Sequence, residues 1–143
     1  MTRDEWLVLA IAAADDPGIA PIQLQQSLFL FNLKREKDSG PDFYEFEPHD
    51  YGSAAKEAEG PFSKELYADV DALVDERLVS KTWQPGEACS LFRPTEAGHA
   101  WVKDLRRQAK KDALSYLGEA VAWVGQQSAY ESVHKTATIR IIG

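Results

Sequence analysis

The chemistry this sequence offers most plainly is polar contact with a phosphate backbone, from two neighbouring segments. The residues concerned are Ser63, Lys64, Tyr67, Lys81 and Arg93. The first three open a segment with helical periodicity, and the other two lie in short segments of strand-like character. Hydroxyl, ammonium and guanidinium groups are the side-chain groups that contact phosphate oxygens in protein–DNA complexes. We therefore take these five as candidate DNA-binding residues.

A second basic group, the cationic cluster, lies further along the chain. It consists of Lys103, Arg106, Arg107, Lys110 and Lys111. At 100° per residue these side chains cover one side of a helix, which suits nucleic acid or an acidic partner. Pairing with carboxylates of the same domain explains the cluster equally well, because Asp and Glu outnumber Lys and Arg by 23 to 16.

The net charge of −7 disfavours non-specific contact with nucleic acid. Residues 1–100 carry 9 Lys and Arg against 19 Asp and Glu, whereas residues 101–143 carry 7 against 4. Affinity for DNA comes from cations that displace the counterions of the phosphates, so only a local basic face is able to bind it. The helix expected after Ser63 carries Glu65, Asp69 and Asp71 instead. These carboxylates predict repulsion from phosphate.

The sequence contains no motif that is typical of a catalytic or metal-binding site. The histidines are His49, His99 and His134. They are far apart and lack metal-ligand spacing, and His49 is the one with carboxylates nearby in sequence. The polarity of a strand edge explains that cluster as well, and the single cysteine, Cys89, has no basic partner in view. We expect that the protein is not an enzyme and that it binds no metal and no cofactor.

Hydrophobic periodicity predicts the elements that position these residues. The first helix covers about residues 3–15, the second begins at Pro21, and the third begins near Phe62 with Ser63 as its N-cap. Two hairpin strands cover residues 79–84 and 88–93, a short strand covers 43–47, and the last helix covers 95–127. Residues 53–60 are expected to be a mobile loop, and residues 136–142 a strand or an apolar plug.

A helix followed by a two-stranded ribbon and another helix is the layout of a winged helix-turn-helix domain. The predicted fold is therefore α+β: a mainly helical winged helix-turn-helix domain with a small β-hairpin wing and a long C-terminal helix. Residues 1–100 form the winged-helix domain and residues 101–143 a C-terminal helical extension for dimerisation or packing, together as one structural unit.

The last helix is longer than a small domain requires, since about 30 residues span roughly 45 Å. It is expected either to bend at Gly118 or to reach a second subunit. Its apolar stripe suits a dimer seam and an intramolecular core equally. The side chains of this stripe are Trp101, Leu105, Tyr116, Trp123 and Val124.

Four segments of the sequence resemble those of an uncharacterised group of bacterial winged-helix proteins, which is distantly similar to the Panacea antitoxin domain. They are residues 24–31 (LQQSLFLF), 44–52 (YEFEPHDYG), 60–67 (GPFSKELY) and 92–98 (FRPTEAG). In that group Tyr-Gly usually runs directly into Pro-Phe-Ser, whereas residues 53–59 intervene here. The hairpin and its TEAG ending are also similar to the wing of PadR and MarR regulators, whose dimers use a terminal helix.

Two functions follow from this reading. The first is a bacterial DNA-binding transcriptional regulator that acts as a homodimer through its C-terminal helix. The second is a protein-interaction module, such as an antitoxin or adaptor, that binds a protein partner and not DNA. The absence of a signal-peptide pattern, of an apolar run of membrane-spanning length and of a second cysteine favours a cytoplasmic protein without membrane contact.

Overall fold

The computed structural model describes residues 1–35, 43–50, 59–83, 85 and 89–126 of the chain. Its helices are α1 (Arg3–Ala13), α2 (Pro21–Lys34), α3 (Lys64–Asp75), α4 (Glu96–Gln108) and α5 (Lys111–Gly125). Its strands are β1 (Glu47–Asp50), β2 (Glu59–Phe62), β3 (Val79–Thr82) and β4 (Leu91–Pro94). Across these segments the fold is α+β and mostly helical, and none of the helices is both long and apolar enough to cross a membrane.

Helices α1 and α2 form the centre of the fold. Residues 6–11 of α1 are all buried, as are residues 24–29 of α2. A helix that is buried on nearly every side must pack against several neighbours. This central position was the prediction for α2. The rings of Trp6 and Phe31 join the two helices, with their centroids 4.8 Å apart. The prediction that the second helix begins at Pro21 is confirmed.

Helix α3 begins where the sequence predicted. The Ser63 hydroxyl accepts a hydrogen bond from the Leu66 N–H at 3.4 Å, so Ser63 is the N-cap. The buried positions of the helix are Leu66, Val70 and Leu73, which recur at three- and four-residue intervals. This stripe packs α3 on the core and leaves its other faces to solvent.

The predicted hairpin after α3 is confirmed, although its strands are shorter than expected. Strands β3 and β4 pair antiparallel with Val79 opposite Pro94. Ile19, between α1 and α2, joins the other edge of β4 by an antiparallel bridge. Ile19 N–H donates to the Phe92 carbonyl at 3.0 Å, and Phe92 N–H donates to the Ile19 carbonyl at 2.9 Å. Three backbone segments therefore lie side by side at this point.

The strand predicted at residues 43–47 is wrong in its position. Strand β1 begins at Glu47 and pairs antiparallel with β2, with Glu47 opposite Phe62. Residues 43–46 are irregular because Tyr44 turns into the core, where it is 2% exposed. Most of the loop predicted at residues 53–60 lies outside the described residues, but its last two residues open β2.

The prediction of a single long C-terminal helix is also wrong. Ala109 and Lys110 adopt extended backbone conformations, with ψ angles of 149° and 134°, and separate α4 from α5. The break lets α5 pack along α2 and contact α1, which buries Leu117, Val121 and Val124. A bend was predicted at Gly118, but this residue lies within α5. The predicted tail element at residues 136–142 lies outside the described residues.

Two residues of the proposed dimer seam belong to the intramolecular core. Leu105 is 1% exposed and Val124 is fully buried within this one chain. Trp101 and Tyr116 pack against the same core from partly buried positions. The alternative of a core stripe therefore explains these four residues without a second subunit.

Candidate functional site

The first predicted DNA contact, Ser63, is part of the joint between α2 and α3. The Gln25 amide donates to the Ser63 carbonyl, and Ser63 N–H donates to the Gln25 amide oxygen, both at 2.8 Å. Gln25 is fully buried and Ser63 is 2% exposed. The polar groups of Ser63 are thus used inside the protein, where they do not face a ligand.

Tyr67 and Lys64, the other two candidates on α3, differ in exposure. The Tyr67 ring packs edge to face on Phe62, with centroids 5.4 Å apart. Burial raises the pKa of Tyr67 above its ordinary value. A hydrogen bond with Gln25 offsets part of this rise. Lys64 is exposed at the first turn of α3. Of the three candidates on this helix, Lys64 is the side chain fully presented to solvent.

The solvent face of α3 is acidic. Its exposed positions beyond Lys64 are Ala68, Asp71, Ala72 and Asp75, and Glu76 follows directly after the helix. A helix that reads a major groove presents Arg, Lys, Asn or Gln to the base edges. Two alanines and three carboxylates have neither the donors nor the charge for that contact.

The remaining two candidates lie on the β3–β4 hairpin. Lys81 is exposed on β3. Arg93 on β4 is paired with Asp16, at an N–O distance of 2.9 Å. Trp83 follows β3 directly and is 61% exposed, an unusual exposure for so large an aromatic ring. Sequence reasoning missed Trp83, although a tryptophan two residues before the Pro85 turn was the available signal.

An acidic groove lies between the start of α1 and α3. It has a volume of about 720 Å³ and is lined by five carboxylate residues, namely Asp4, Glu45, Glu65, Asp69 and Glu76. Phe43 and Leu73 supply apolar surface within the groove. Arg3 is the cation among the lining side chains, and its Nε lies 3.0 Å from an Asp69 oxygen. The groove therefore presents a strong excess of negative charge.

Tyr44 and Asp69 anchor one wall of the acidic groove. The Tyr44 hydroxyl donates to the Asp69 carboxylate at 2.7 Å, and the Arg3 guanidinium lies 5.1 Å from the centre of the Tyr44 ring. Burial raises the pKa of Tyr44 above its ordinary value, and the bond to Asp69 raises that pKa further. These contacts hold Arg3 and Asp69 against the wall and neutralise one carboxylate of the groove.

The cationic cluster is divided by the break between the last two helices. Three of its residues are on α4, whereas Lys110 lies in the break and Lys111 begins α5. All five side chains are exposed, and Arg107 lies 3.6 Å from Asp104 in an ion pair of one helix. The prediction of one continuous helical side is therefore wrong, because the helix it assumed is two helices.

A recess between α2 and α5, the α2–α5 recess, was not predicted from the sequence. It has a volume of about 480 Å³ and is lined by Phe31, Lys34, Arg35, Lys110, Asp112, Ala113 and Tyr116. The Lys34 ammonium lies 5.1 Å from the centre of the Tyr116 ring, and the Arg35 guanidinium lies 4.5 Å from that of Phe43. Its lining carries three cations and one carboxylate, the opposite balance to the acidic groove.

The histidines and the cysteine lie on different elements in the described part of the chain. His49 is exposed on β1, and its ring stacks on Phe62 with centroids 4.7 Å apart. His99 is exposed on α4, whereas His134 lies outside the described residues. Cys89 is half-buried. Within the described segments, no three His, Cys, Asp or Glu side chains converge as metal ligands would.

Comparison of the whole chain with protein-family models and with characterised proteins gives no match.

Proposed function

We propose that this protein is a winged-helix-type module that binds a protein partner, in the manner of an antitoxin or adaptor, through the acidic surface around α3. The order of elements supports the winged-helix part of this proposal. Helix α1, the Ile19 bridge, α2, α3 and the β3–β4 hairpin occur in the chain order of a helix, an edge segment, two helices and a wing, with the β1–β2 pair inserted between α2 and α3.

The single observation that carries the choice of partner is the charge of α3. In the proposed winged-helix arrangement α3 takes the place of the DNA-reading helix, yet it exposes Asp71 and Asp75 and has Lys64 as its one exposed cation. Binding to DNA requires cations that release counterions from phosphate, and these carboxylates oppose it. The acidic groove adds negative surface on another side of the same helix, where Glu65, Asp69 and Glu76 face the start of α1.

A basic segment of another protein is the partner that fits this surface. Complementary charge steers association and sets the register of an interface, whereas buried apolar contacts supply most of its affinity. The acidic groove has both parts, with carboxylates at Glu45, Glu65 and Glu76 and apolar surface from Phe43 and Leu73. We infer a partner segment with Lys or Arg flanking one or two apolar side chains.

DNA binding by a transcriptional regulator stays the second candidate because of the hairpin. Lys81 and Arg93 place cations on β3 and β4, and Trp83 adds an exposed aromatic ring beside them. A wing of this kind contacts the phosphate backbone while another element reads the bases. In this alternative the wing is the main contact and α3 contributes Lys64.

Fluorescence anisotropy with two probes separates the two functions. The probes are a synthetic peptide that alternates lysine and leucine residues and a labelled duplex DNA, each titrated at an ionic strength of about 50 mM and again at about 200 mM. We expect saturable, salt-sensitive binding of the peptide and no binding of the duplex. A peptide with glutamate in place of lysine is the control for apolar attraction alone.

Matched variants then locate the binding surface. The combined substitution of Glu65→Gln and Glu76→Gln removes two charges from the side of α3 that lines the acidic groove, and that of Glu96→Gln and Asp104→Asn removes two from α4. Because the net charge changes equally, only a local effect separates the two variants. We expect the α3 variant to weaken peptide binding about fivefold or more and the α4 variant to leave it unchanged. Equal effects would show that the peptide responds to overall charge alone.

A further inference from the structure

We propose that the acidic groove binds an arginine of its protein partner at Asp69, in the place that Arg3 of this chain occupies in the free protein. The inference rests on the proposed function, because it names the side chain by which that partner is recognised. Arg3 is then a built-in competitor, which a partner must displace before it has full use of the groove.

The ion pair of Arg3 and Asp69 joins the two walls of the groove. Arg3 is the first residue of α1, Asp69 lies in the middle of α3, and both line the groove. The Arg3 Nε lies 3.0 Å from the Asp69 Oδ2. The groove therefore already binds one guanidinium group, which its own wall supplies.

Two features of this contact favour arginine over lysine. The Asp69 carboxylate is held in place because the Tyr44 hydroxyl donates to the same Oδ2 atom at 2.7 Å. The Tyr44 ring lies beneath the guanidinium, with its centre 5.1 Å from the Cζ atom of Arg3. A planar guanidinium stacks on a ring while it donates to a carboxylate, whereas an ammonium is a compact and strongly hydrated charge. A partner's arginine that replaces Arg3 makes both contacts again.

The exposure of the ion pair makes this exchange feasible. The side chains of Arg3 and Asp69 are 36% and 23% exposed. Pairs with this much solvent access are weak, and losing one changes an equilibrium constant by about fivefold or less. Because Arg3 is at the first position of α1, its side chain is able to turn into solvent while the helix stays intact. The bond from the buried Tyr44 to Asp69 is kept throughout.

Asp69 is a better anchor for a partner than the exposed carboxylates of Glu45 and Glu76. A charge-assisted hydrogen bond to an oriented carboxylate is stronger than an ion pair in open solvent. An exposed carboxylate attracts any basic segment, whereas Asp69 becomes available to a segment that replaces Arg3. Arg3 therefore makes the groove selective for a partner that brings its own guanidinium.

Fluorescence anisotropy with two peptides of equal length tests the competition. In one peptide arginine alternates with leucine, and in the other lysine does. Arg3→Gln removes the internal guanidinium, and Lys103→Gln on the exposed face of α4 is the control with the same change of charge. Relative to this control, we expect Arg3→Gln to bind the arginine peptide about fivefold more tightly and the lysine peptide about twofold more tightly or less.

A second substitution assigns the gain to Asp69. Asp69→Asn keeps a side-chain oxygen for the Tyr44 hydroxyl but removes the charge that holds a guanidinium. The gain from Arg3→Gln should therefore disappear when it is made in the Asp69→Asn background, as is expected of two residues that act through one contact. Circular dichroism confirms that each variant is folded.

NMR of the wild-type protein shows the displacement directly. The Nε–H signal of Arg3 is followed during titration with the arginine peptide, and it should shift as the bond to Asp69 breaks. The proposal is overturned if this signal is unchanged at saturation, if Arg3→Gln and Lys103→Gln bind the arginine peptide alike, or if Asp69→Asn leaves the gain intact. If neither peptide binds the wild type or Arg3→Gln, the proposed function falls together with this inference.

Discussion

Replacing Gln25 with methionine removes the hydrogen bonds that join α2 to the beginning of α3. The substitution leaves the N–H and the carbonyl of Ser63 without their 2.8 Å partners at a position that is 2% exposed. Each buried backbone group without a partner costs about 1–3 kcal/mol, so two of them cost about 2–6 kcal/mol. Methionine is nearly the same length and adds apolar burial, and we therefore expect a loss of about 2–4 kcal/mol.

Equilibrium unfolding in urea measures this loss. The free energy of unfolding of a domain is about 5–15 kcal/mol, so the variant should stay folded in water. With a urea dependence of about 1–3 kcal/mol per molar, the midpoint should fall by about 0.7–4 M at an unchanged slope. Gln108→Met, at the exposed end of α4, is the matched control and should change the midpoint little. A loss below about 0.5 kcal/mol for Gln25→Met would refute the reciprocal pairing of Gln25 with Ser63.

The remaining predictions concern the packing of α4 and α5 and the wall of the acidic groove. A Cβ atom at Gly98 would clash with the backbone carbonyl oxygen of Leu78, so Gly98→Ala should lower the free energy of unfolding by at least about 3 kcal/mol. Among the described residues, no atom outside the adjacent backbone of α5 lies within 4 Å of a Cβ at Gly118, so Gly118→Ala should raise the stability of α5, and the free energy of unfolding, by about 0.5–1 kcal/mol. Similar effects in the two urea titrations would contradict the packing of Gly98. Tyr44→Phe should cost about 1–2 kcal/mol at neutral pH, because it removes the 2.7 Å bond to Asp69. Since the pKa of Tyr44 is raised in the folded state, its phenol ionises first in the unfolded chain, and the wild type should lose stability as the pH rises above about 10. The loss per pH unit should be smaller in Tyr44→Phe, and equal losses would contradict the raised pKa.

The parts of the fold that were predictable depend on local signals. Ser63 precedes an apolar stripe at helical spacing, and this pattern placed the beginning of α3 correctly. The break at Ala109 and Lys110 carries no such signal, since neither residue is a glycine or a proline. Beyond the break, α5 lies against α1 and α2, and Leu117 and Val121 are buried there. Tertiary packing of this kind is not visible in a local pattern.

The candidate site was predictable in its charge and not in its geometry. The carboxylates of α3 were evident from the sequence; Asp71 and Asp75 are exposed, whereas Asp69 is half-buried beside Arg3 and Tyr44. The role assigned to Ser63 depended on its residue type alone, whereas its actual partner is Gln25, which is 38 positions away in the sequence. The α2–α5 recess could not be predicted either, because it joins Arg35 to Tyr116 through a packing of helices that no motif encodes.

The most direct test of the account is a map of the wild-type protein's binding surface by two-dimensional NMR, with the lysine-leucine peptide and the duplex DNA as separate probes. We predict that the peptide shifts the amides of Glu65, Asp69 and Leu73 on α3, which line the acidic groove, and that the duplex shifts none of the assigned amides at about 50 mM salt. Shifts of Lys81, Trp83 and Arg93 by the duplex, without shifts on α3 by the peptide, would contradict the account and support a DNA-binding wing.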